Sequence, residues 1–300
     1  MKNGILIIGS SNTDMVIQTD HLPVPGETIL GGTFFMAAGG KGANQAVAAA
    51  RLGGAVTFIC KVGNDMFGSG AKELFKQEGI DISHLLTDAV LPSGIALIMV
   101  DKQAENVIAV ASGANAALMP NDLQNINELM DAATLIVMQL EIPLATVQYI
   151  ATKAFNKGIP LMLNPAPACA LSNELLQCIS IITPNETEAE ILTGIKVTDI
   201  ASAQLAAYRL YEKGIATVII TLGSNGALVL HDGVFTQVPA MAVRAIDTTA
   251  AGDVFNGALA VALSQGKTVR EAAAFACKAA SISVTRLGAQ ASAPYRHEVA

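Results

Sequence analysis

An aspartate stands at the start of a helical pattern, directly behind a run of small residues. Ala250, Ala251 and Gly252 precede Asp253, and the run VFNGALAVALSQG that follows is typical of a helix. Small residues let backbone N–H groups approach a ligand closely, and the first turn of a helix leaves such donors unpaired, so this stretch predicts an anion site. A carboxylate beside that site can orient a hydroxyl and accept its proton while the amides stabilise a migrating phosphoryl group. The alternative is an ordinary strand-to-helix turn in which Asp253 caps the helix.

A second glycine-rich stretch enters a helical pattern nearer the start of the chain. Gly39-Gly40-Lys41-Gly42-Ala43-Asn44 precedes the pattern QAVAAARLG. Glycine-rich sequence before a helix supplies open backbone donors. A Walker loop is excluded because glycine, not Ser or Thr, follows the lysine, and the spacing is not that of G-x-G-x-x-G. Taken alone, the pattern is weak.

Polar side chains follow two of the predicted strands. Asn12 and Asp14 come after ILIIG, and Glu141 follows TLIVMQL. Ligands collect at the carboxyl ends of the strands in open α/β sheets. Turn chemistry explains Asn12 and Asp14 if only the residues are considered. Glu141 is equally compatible with accepting a hydrogen bond from a sugar hydroxyl and with beginning a solvent loop.

Three further groups of residues have both an ordinary and a functional interpretation. Asn185 and Glu188 stand at the start of EAEILTG, where carboxylates often only complement the helix dipole. The turn in ITLGSNGA is that of a plain hairpin. Asp247 is compatible with capping a loop, and the segment 283–292 with ordinary surface.

Composition excludes several classes of protein. The chain has 300 residues, of which 52% are hydrophobic and 14% charged, which is typical of a compact globular protein. The net charge of −7 and the lack of a basic run argue against a nucleic-acid surface. The apolar runs are shorter than the roughly 20 residues that span a bilayer, and neither a membrane segment nor a signal peptide is expected. The four widely spaced cysteines suggest neither a disulfide framework nor a zinc site, so we expect a cytoplasmic protein.

Apolar runs that alternate with amphipathic patterns predict the fold class. From residue 120 onward the alternation is regular, which implies an α/β fold with a mostly parallel sheet flanked by helices on both faces. The predicted strands are 5–9, 15–19, 27–35, 56–63, 94–101, 105–110, 134–140, 160–164, 180–185 and a pair within 216–233. The predicted helices are 45–53, 66–79, 120–130, 143–158, 173–178, 188–194, a helix that ends at 265, and 268–284.

The hairpin at 94–110 interrupts this alternation. The turn KQA joins its two strands, and we expect it to combine with the strands around 14–36 in a small β-sheet lid. Few helices are left to cover the apolar faces of such a lid. Pairing of two lids in a homodimer is therefore a reasonable hypothesis.

The motifs taken together resemble the ribokinase-like (PfkB) family of carbohydrate kinases, and the order and spacing are close to those of ribokinases. DTTAAGD resembles the family signature D-T-x-[AG]-A-G-D, and GGKGAN the signature G-G-K-G-x-N. The resemblance extends over nearly the whole chain and implies one ribokinase-like domain over 1–300. The other matching motifs are GSSNTD, AENV, SGANAAL, QLEIPL, LNPAPA, ITPNETEAE, ITLGSNGA and VTRLGAQ.

The resemblance implies a role for each group of residues. Asp253 is the general base, with an anion hole from Ala250, Ala251 and Gly252. The sugar is held by Asn12, Asp14, Gly40, Lys41, Asn44, Glu141 and Asp253. Asn185 and Glu188 organise Mg²⁺ and the nucleotide phosphates, largely through water. The nucleotide is also contacted by Thr221, Gly223, Ser224, Gly226 and Gly252, with Cys277 at the adenine edge. A monovalent cation such as K⁺ is held near Asp247, Thr249, Ser283, Arg286, Gly288 and Ser292.

The reaction implied by the resemblance is ATP-dependent phosphorylation of D-ribose at its 5-hydroxyl. The alternatives are a related kinase acting on deoxyribose, fructose or a nucleoside, or a non-catalytic sugar-binding regulator. A Rossmann oxidoreductase is disfavoured because no G-x-G-x-x-G follows the first strand. Ala250 and Ala251 depart from the Gly-Ala of many family members, and the end at Ala300, before a final helix, is expected to reduce edge stability.

Overall fold

The computed structural model describes residues 4–103 and 105–299. The strands are β1 Gly4–Ile8, β2 Asn12–Gln18, β3 Thr33–Gly39, β4 Ala55–Ile59, β5 Lys61–Gly63, β6 Leu86–Asp88, β7 Gly94–Val100, β8 Asn106–Ala111, β9 Ala133–Met138, β10 Leu161–Leu163, β11 Ile181–Ile182, β12 Thr217–Thr221, β13 Ala227–His231 and β14 Val234–Val238. The α-helices are α1 Lys41–Arg51, α2 Met66–Gln77, α3 Asn127–Ala132, α4 Leu144–Lys157, α5 Asn173–Leu176, α6 Glu186–Thr193, α7 Ile200–Tyr211, α8 Ala251–Ser264, α9 Val269–Ser283 and α10 Arg296–Val299. Short 3₁₀ helices span Gly113–Ala117, Pro120–Leu123, Gly223–Asn225 and Gln290–Ser292.

The main sheet has eight strands in the order β14-β13-β12-β11-β10-β9-β1-β4. The six strands β12, β11, β10, β9, β1 and β4 pair in parallel. Strands β13 and β14 add an antiparallel edge beside β12. Alternate residues of β1 enter different cores: Ile5 and Ile7 pack in one, Leu6 and Ile8 in the other. A strand buried on both faces reads as a continuous apolar run. The predicted fold class is therefore confirmed.

A separate small sheet has four strands in the order β3-β2-β7-β8. β2 and β7 are parallel, and β3 and β8 pair antiparallel to them at the two edges. The strand predicted at 27–35 is wrong in its first half, because β3 begins only at Thr33 and both Gly31 and Gly32 have positive φ, at 101° and 98°. Such angles interrupt an extended strand. Ala104, the last residue of the predicted turn KQA, lies outside the described residues.

Other predictions of element bounds also differ from the structure. The strand predicted at 56–63 divides into β4 and β5, and β5 belongs to a two-stranded sheet with β6. The helix predicted at 120–130 divides into a 3₁₀ turn and α3. Helix α7 and strand β14 were not predicted, although Asp199 caps α7 through a hydrogen bond from the Ser202 N–H. The side chains that α7 buries are mostly alanines, which gives a weak apolar pattern.

Helices α1 and α8 pack very closely on one face of the main sheet. A Cβ atom at Gly257 of α8 would lie 2.8 Å from both the Ala48 Cβ and the Gln45 backbone oxygen of α1. Any larger residue would force these helices apart. The first turns of the helices are thereby brought together. Among the residues described, no helix has both the length and the apolar character needed to cross a membrane.

Candidate active site

Asp253 lies in the first turn of α8, and its side chain is only 5% exposed. Its Oδ2 accepts a hydrogen bond from Asn44 Nδ2, and its Oδ1 one from Gln45 Nε2, both at 2.9 Å. The N-cap residue of α8 is Ala250, and no side chain caps the helix. The alternative that Asp253 is a helix cap is therefore wrong, since its carboxylate is directed at α1.

The surroundings of Asp253 have opposing effects on the pKa of its carboxyl group. Burial raises the pKa of this carboxyl, whereas the charge of Lys41 and the bonds from Gln45 and Asn44 lower it; the net shift is upward. Hydrogen bonds to a carboxylate favour its charged form, so the amides oppose desolvation. A carboxylate in this position is a stronger base than an exposed one.

Helix α1 begins earlier than predicted, at Lys41. Gly40 is its N-cap with φ +88°, and a Cβ there would lie 2.7 Å from the backbone nitrogen of Asn12. The Lys41 N–H donates to Glu141 Oε2 at 3.0 Å, and Ser10 Oγ donates to the same oxygen at 2.5 Å. Glu141 therefore lies at the positive end of α1 and not in a solvent loop.

Lys41 lies among carboxylates. Burial alone lowers the pKa of its ammonium, but Asp253, Glu141 and Glu188 raise it above the ordinary value. Lys41 is therefore a cation at neutral pH. Its charge offsets part of the repulsion within this acidic group and is available to an incoming anion.

Asn12 and Asp14 lie on β2 itself, which corrects their assignment to a loop. Burial, then the charges of Glu141 and Asp253, raise the pKa of Asp14 from 3.8 to about 6. Asn12 Oδ1 accepts from Asn115 Nδ2 at 2.8 Å. This bond directs the amide oxygen of Asn12 toward Asn115 and leaves the Asn12 NH₂ group as the donor for other partners.

Asn115 was missed as a site residue, although it belongs to the motif SGANAAL. Its side chain is 1% exposed. Its Oδ1 accepts from the Ser11 N–H at 2.9 Å, and its Nδ2 donates to the Ser11 oxygen at 3.1 Å as well as to Asn12. Asn115 therefore clamps the start of β2. Membership of the motif SGANAAL was the available signal, since the burial of Asn115 is visible only in the structure.

A cavity of about 170 Å³ lies beside the first turn of α8. It adjoins the ends of β10, β11 and β12, and Asp253 and Lys41 both line it. We call it the helix-end cavity. Its other lining residues are Asn164, Ala166, Thr183, Asn185, Glu188, Thr221, Thr248, Ala250, Ala251, Gly252 and Asn256.

Asn185 and Glu188 form a reciprocal cap at the start of α6. The Glu188 N–H donates to Asn185 Oδ1 at 2.8 Å, and the Asn185 N–H donates to Glu188 Oε2 at 2.9 Å. These bonds give both residues a structural role at the start of α6, beyond the dipole complementation considered from the sequence. The same pair also lines the helix-end cavity, and burial raises the pKa of Glu188.

A second cavity of about 350 Å³ lies between the small sheet and the main sheet. Asn12, Glu141 and Val110 of β8 line it, and its other walls are mostly apolar. We call it the inter-sheet cavity. The remaining lining residues are Ser112, Asn115, Ala116, Leu140, Ile142, Pro143 and Pro167.

Asp247 joins two segments that are distant in sequence. Its Oδ1 accepts from the Thr249 N–H and its Oδ2 from the Gly288 N–H, both at 2.8 Å. Burial raises the pKa of Asp247, but these bonds outweigh it and the net pKa is lowered. The structure therefore brings Asp247, Thr249 and Gly288 together. The Arg286 guanidinium instead pairs with Glu298.

The other members of the predicted cation and nucleotide sets have mainly local contacts. Ser283 Oγ donates to the Ala280 oxygen at 2.9 Å and Ser292 Oγ to the Ala289 oxygen at 2.8 Å. Burial raises the pKa of the Cys277 thiol to about 11, so the thiol is neutral. Within 4–103 and 105–299, no group of three or more His, Cys, Asp or Glu side chains is placed to hold a metal.

The predicted nucleotide turn follows β12. Gly223 and Ser224 lie in the 3₁₀ helix after this strand, and Gly226 has φ +87°. A Cβ at Gly226 would lie 2.0 Å from the Val238 oxygen, so only glycine fits. Of the predicted turn residues, Thr221 lines the helix-end cavity.

Four more polar residues support the site and were missed: Gln139, Asn164, Thr183 and Asn256. Thr183 Oγ1 donates to Asn256 Oδ1 at 2.6 Å, and Asn256 Nδ2 donates to the Gly252 oxygen at 2.8 Å. These bonds hold the first turn of α8 against the end of β11. Polar residues at the ends of apolar strands were the available signal for Asn164 and Thr183.

The chain is similar to known carbohydrate kinases over nearly its whole length. The model of the pfkB family carbohydrate kinases matches residues 2–296. A ribokinase of Haemophilus influenzae is 48% identical over 99% of this chain and 97% of its own. A deoxyribokinase of Salmonella typhi is 38% identical over 97% of this chain and 95% of its own. The structure of an Arabidopsis thaliana ribokinase complexed with ribose and ATP has a TM-score of 0.94 at 32% identity, covering 100% of this chain and 98% of that one.

Proposed function

Because the chain belongs to the pfkB family of carbohydrate kinases, we propose that it transfers the γ-phosphoryl group of ATP to the 5-hydroxyl of D-ribose. The observation that carries the proposal is the position of Asp253. Its buried carboxylate lies in the first turn of α8, where backbone donors favour phosphate, and lines the helix-end cavity. A base at such a place can deprotonate a hydroxyl beside a bound phosphoryl group.

The sugar lies, in this proposal, between β2 and the start of α1. Asn12, Asp14, Gly40, Lys41, Asn44 and Glu141 hold its hydroxyls. The Asn44 Oδ1 atom is buried and has no hydrogen-bond partner in the part of the chain that the structure describes. Such an atom costs free energy unless a ligand satisfies it, and a sugar hydroxyl is a suitable donor.

The triphosphate of ATP occupies the helix-end cavity. The amides of Ala250, Ala251 and Gly252 stabilise the transferring group, although the Ala251 N–H also donates to the Thr248 oxygen at 3.2 Å. The nucleotide extends along Thr221, Gly223, Ser224 and Gly226 toward Cys277. With a loose transition state, positioning and electrostatic stabilisation carry most of the rate.

Magnesium fits the helix-end cavity. Mg²⁺ retains several waters and binds through one or two carboxylates together with substrate phosphates, and Glu188 has one carboxylate oxygen, Oε2, occupied by the cap. When bound, the ion would neutralise charge on the phosphates. Asn185 and Glu188 are the residues that would hold it, largely through water.

A monovalent cation such as K⁺ fits the segments that Asp247 joins. Both carboxylate oxygens are held by backbone N–H groups, which brings the main chain near Thr249 and Gly288 together. Potassium-sized ions prefer a cage of oxygens, many of them carbonyls. The backbone oxygens near Thr249, Ser283, Arg286 and Gly288, with Ser292 nearby, supply that chemistry.

The small sheet acts as a lid over the sugar and pairs with the lid of a second copy. Phe34, Met36, Leu97 and Val107 are between 51% and 60% exposed. The strand register places them on the face opposite Asp14. Contiguous apolar surface of this kind is typical of a protein interface. A reducing cytoplasm is the compartment we infer, because all four cysteines are free.

A panel of acceptors tests the function. ATP turnover is measured by coupled ADP detection with ribose, 2-deoxyribose, fructose and adenosine, each with and without K⁺. We expect the highest kcat/KM with ribose, because Asn12 and Asp14 lose partners when a hydroxyl is missing. Equal or higher kcat/KM with deoxyribose would assign the chain to the deoxyribokinases, which it also resembles. No sugar-dependent turnover would favour a binding regulator.

A further inference from the structure

Gln45 is assigned neither to the sugar, nor to the nucleotide, nor to proton transfer, yet it contacts Asp253. Its side chain is fully buried on α1. Its Nε2 donates to Asp253 Oδ1 at 2.9 Å and to Asn164 Oδ1 at 3.1 Å. Its Oε1 accepts from Gln139 Nε2 at 2.7 Å. The donors and the acceptor of this amide are therefore all engaged.

The direction of the Gln45 amide follows from its neighbours. A flipped amide would place Oε1 against two acceptor oxygens, those of Asp253 and Asn164, and its NH₂ group against the NH₂ group of Gln139. Both contacts would be repulsive. The Asp253 carboxylate, which can only accept, and the Gln139 bond together favour the orientation in which a donor faces Asp253.

Two glycines make room for this chain of amides. Gly257 lets α1, which carries Gln45, approach α8, because a Cβ there would lie 2.8 Å from the Gln45 backbone oxygen. Gly9 lies beside the Gln139 side chain, and a Cβ there would lie 2.1 Å from Gln139 Oε1. The backbone is therefore shaped around Gln139 and Gln45.

We propose that Gln45 is a positioning residue for phosphoryl transfer and that Gln139 acts through it, which rests on the proposed function of Asp253. Gln45 is fully buried and its amide is engaged by Asp253, Asn164 and Gln139, so it acts on the carboxylate and not on the sugar. Its bond holds the plane of the Asp253 carboxylate and favours the ionised form that accepts the proton. Asn44, which holds the other oxygen, has an open acceptor for the sugar and so combines two roles.

The test replaces the amides by methionine, which is similar in length and lacks the donor. In Gln45→Met we expect kcat with ribose to fall about 10-fold or more at neutral pH, with KM for ribose within about twofold. The acid limb of the kcat profile should move to higher pH by about one unit, because the carboxylate loses a stabilising donor. Activity should partly recover at high pH.

Gln139→Met should move the acid limb in the same direction by less. The double variant Gln45→Met/Gln139→Met should show the shift of Gln45→Met alone, since Gln139 has no other route to Asp253. The double variant also replaces both partners of the Gln139–Gln45 bond, which destabilises the fold less than leaving one partner buried and unpaired. It therefore keeps the test open if Gln45→Met does not fold.

Gln290→Met is the matched control. Gln290 is another buried glutamine, 5% exposed, whose Nε2 reaches the Gly39 oxygen at 3.4 Å and not Asp253. The acid limb of the kcat profile of Gln290→Met should coincide with that of the wild type. The positioning role alone is overturned if the wild type is active and the acid limbs of both Gln45→Met and the double variant coincide with that of the wild type. A wild type that phosphorylates no sugar overturns the proposed function instead.

Discussion

The two cavities of the site are built in different ways. The helix-end cavity is formed by the ends of neighbouring strands of one sheet and by helices packed directly on that sheet. The inter-sheet cavity is formed by two sheets, because Asn12 and Val110 come from the small sheet and Glu141 from the end of β9. In the proposed function, phosphoryl transfer therefore takes place on one sheet and its helices, and sugar selection at a boundary between two sheets. We expect changes beside α8 to act on kcat and changes in the small sheet to act on binding.

The largest expected effect comes from Asp253→Asn. Loss of the base should lower kcat with ribose by ~10²-fold or more and leave ribose binding largely intact. Coupled ADP detection and equilibrium ribose binding measure the two quantities. Asp131→Asn is the control, because Asp131 is exposed and, among the described residues, forms an ion pair with Lys157 alone. Turnover that survives in Asp253→Asn would refute the assignment of the base.

Glu188→Gln separates the cap from the phosphate role. Glutamine can still accept the bond from the Asn185 N–H, so the melting temperature should change little. Loss of the carboxylate should lower kcat/KM for ATP about 10-fold and raise the Mg²⁺ concentration required. Titrations of Mg²⁺ at fixed ATP, with thermal unfolding in parallel, check this. An unchanged Mg²⁺ requirement together with a lowered melting temperature would leave Glu188 as a cap alone.

Asp14 should make sugar binding depend on pH. Its pKa is about 6, so protonation below that pH removes acceptor capacity and KM for ribose should rise several-fold as pH falls. Asp14→Asn should bind ribose more weakly and with a flat pH profile. Steady-state KM measured across the pH range tests both expectations. A wild-type KM that stays constant through pH 6 contradicts them.

The same carboxyl should affect stability with a definite sign. Its folded pKa of about 6 lies above the ordinary 3.8, so between these values the folded protein holds a proton that the unfolded chain has released. Stability conferred by that proton is present below the lower value and lost as pH rises through about 6. Asp14→Asn should therefore be more stable than the wild type at pH 8 by about 1–2 kcal/mol, and not at pH 4. Denaturant unfolding at both pH values measures the difference.

The smallest effect on chemistry is expected at the outer face of the small sheet. Leu97 is 51% exposed on β7, and Leu97→Glu should shift the protein from dimer to monomer in sedimentation at micromolar concentration. The kcat should stay within about twofold, because α8 is untouched. Leu205→Glu, at a leucine that is 63% exposed on α7, is a control matched in both residue type and charge. A wild type that sediments as a monomer contradicts the lid pairing.

The sequence allowed a correct prediction wherever the type of residue alone determines the local structure. Continuous apolar runs predicted the parallel strands, and small residues before Asp253 predicted a helix start that no side chain caps. It failed where the structure depends on tertiary contacts. Asn12 could not be assigned to the small sheet without knowing that β2 pairs with β7, and the alanine-rich face of α7 carries little pattern.

The supporting polar residues were hidden for a related reason. Gln45 and Asn115 look like ordinary surface amides in sequence, and only burial reveals that their bonds orient other side chains. Their partners lie far along the chain, at Asp253 and at Asn12. The roles proposed for the nucleotide and cation residues came from the family resemblance and stay predictions.

Ala250 holds a backbone conformation that most residues avoid, with φ 57° and ψ 14°. A left-handed alanine costs about 1 kcal/mol relative to glycine, yet its methyl group also restricts the peptide that opens α8. Exchange for glycine would relieve the strain while widening the range of shapes available to the loop. On the proposed function, this methyl group keeps the loop that meets phosphate in one shape before either substrate arrives, and a thermostabilised Ala250→Gly enzyme should be the slower catalyst.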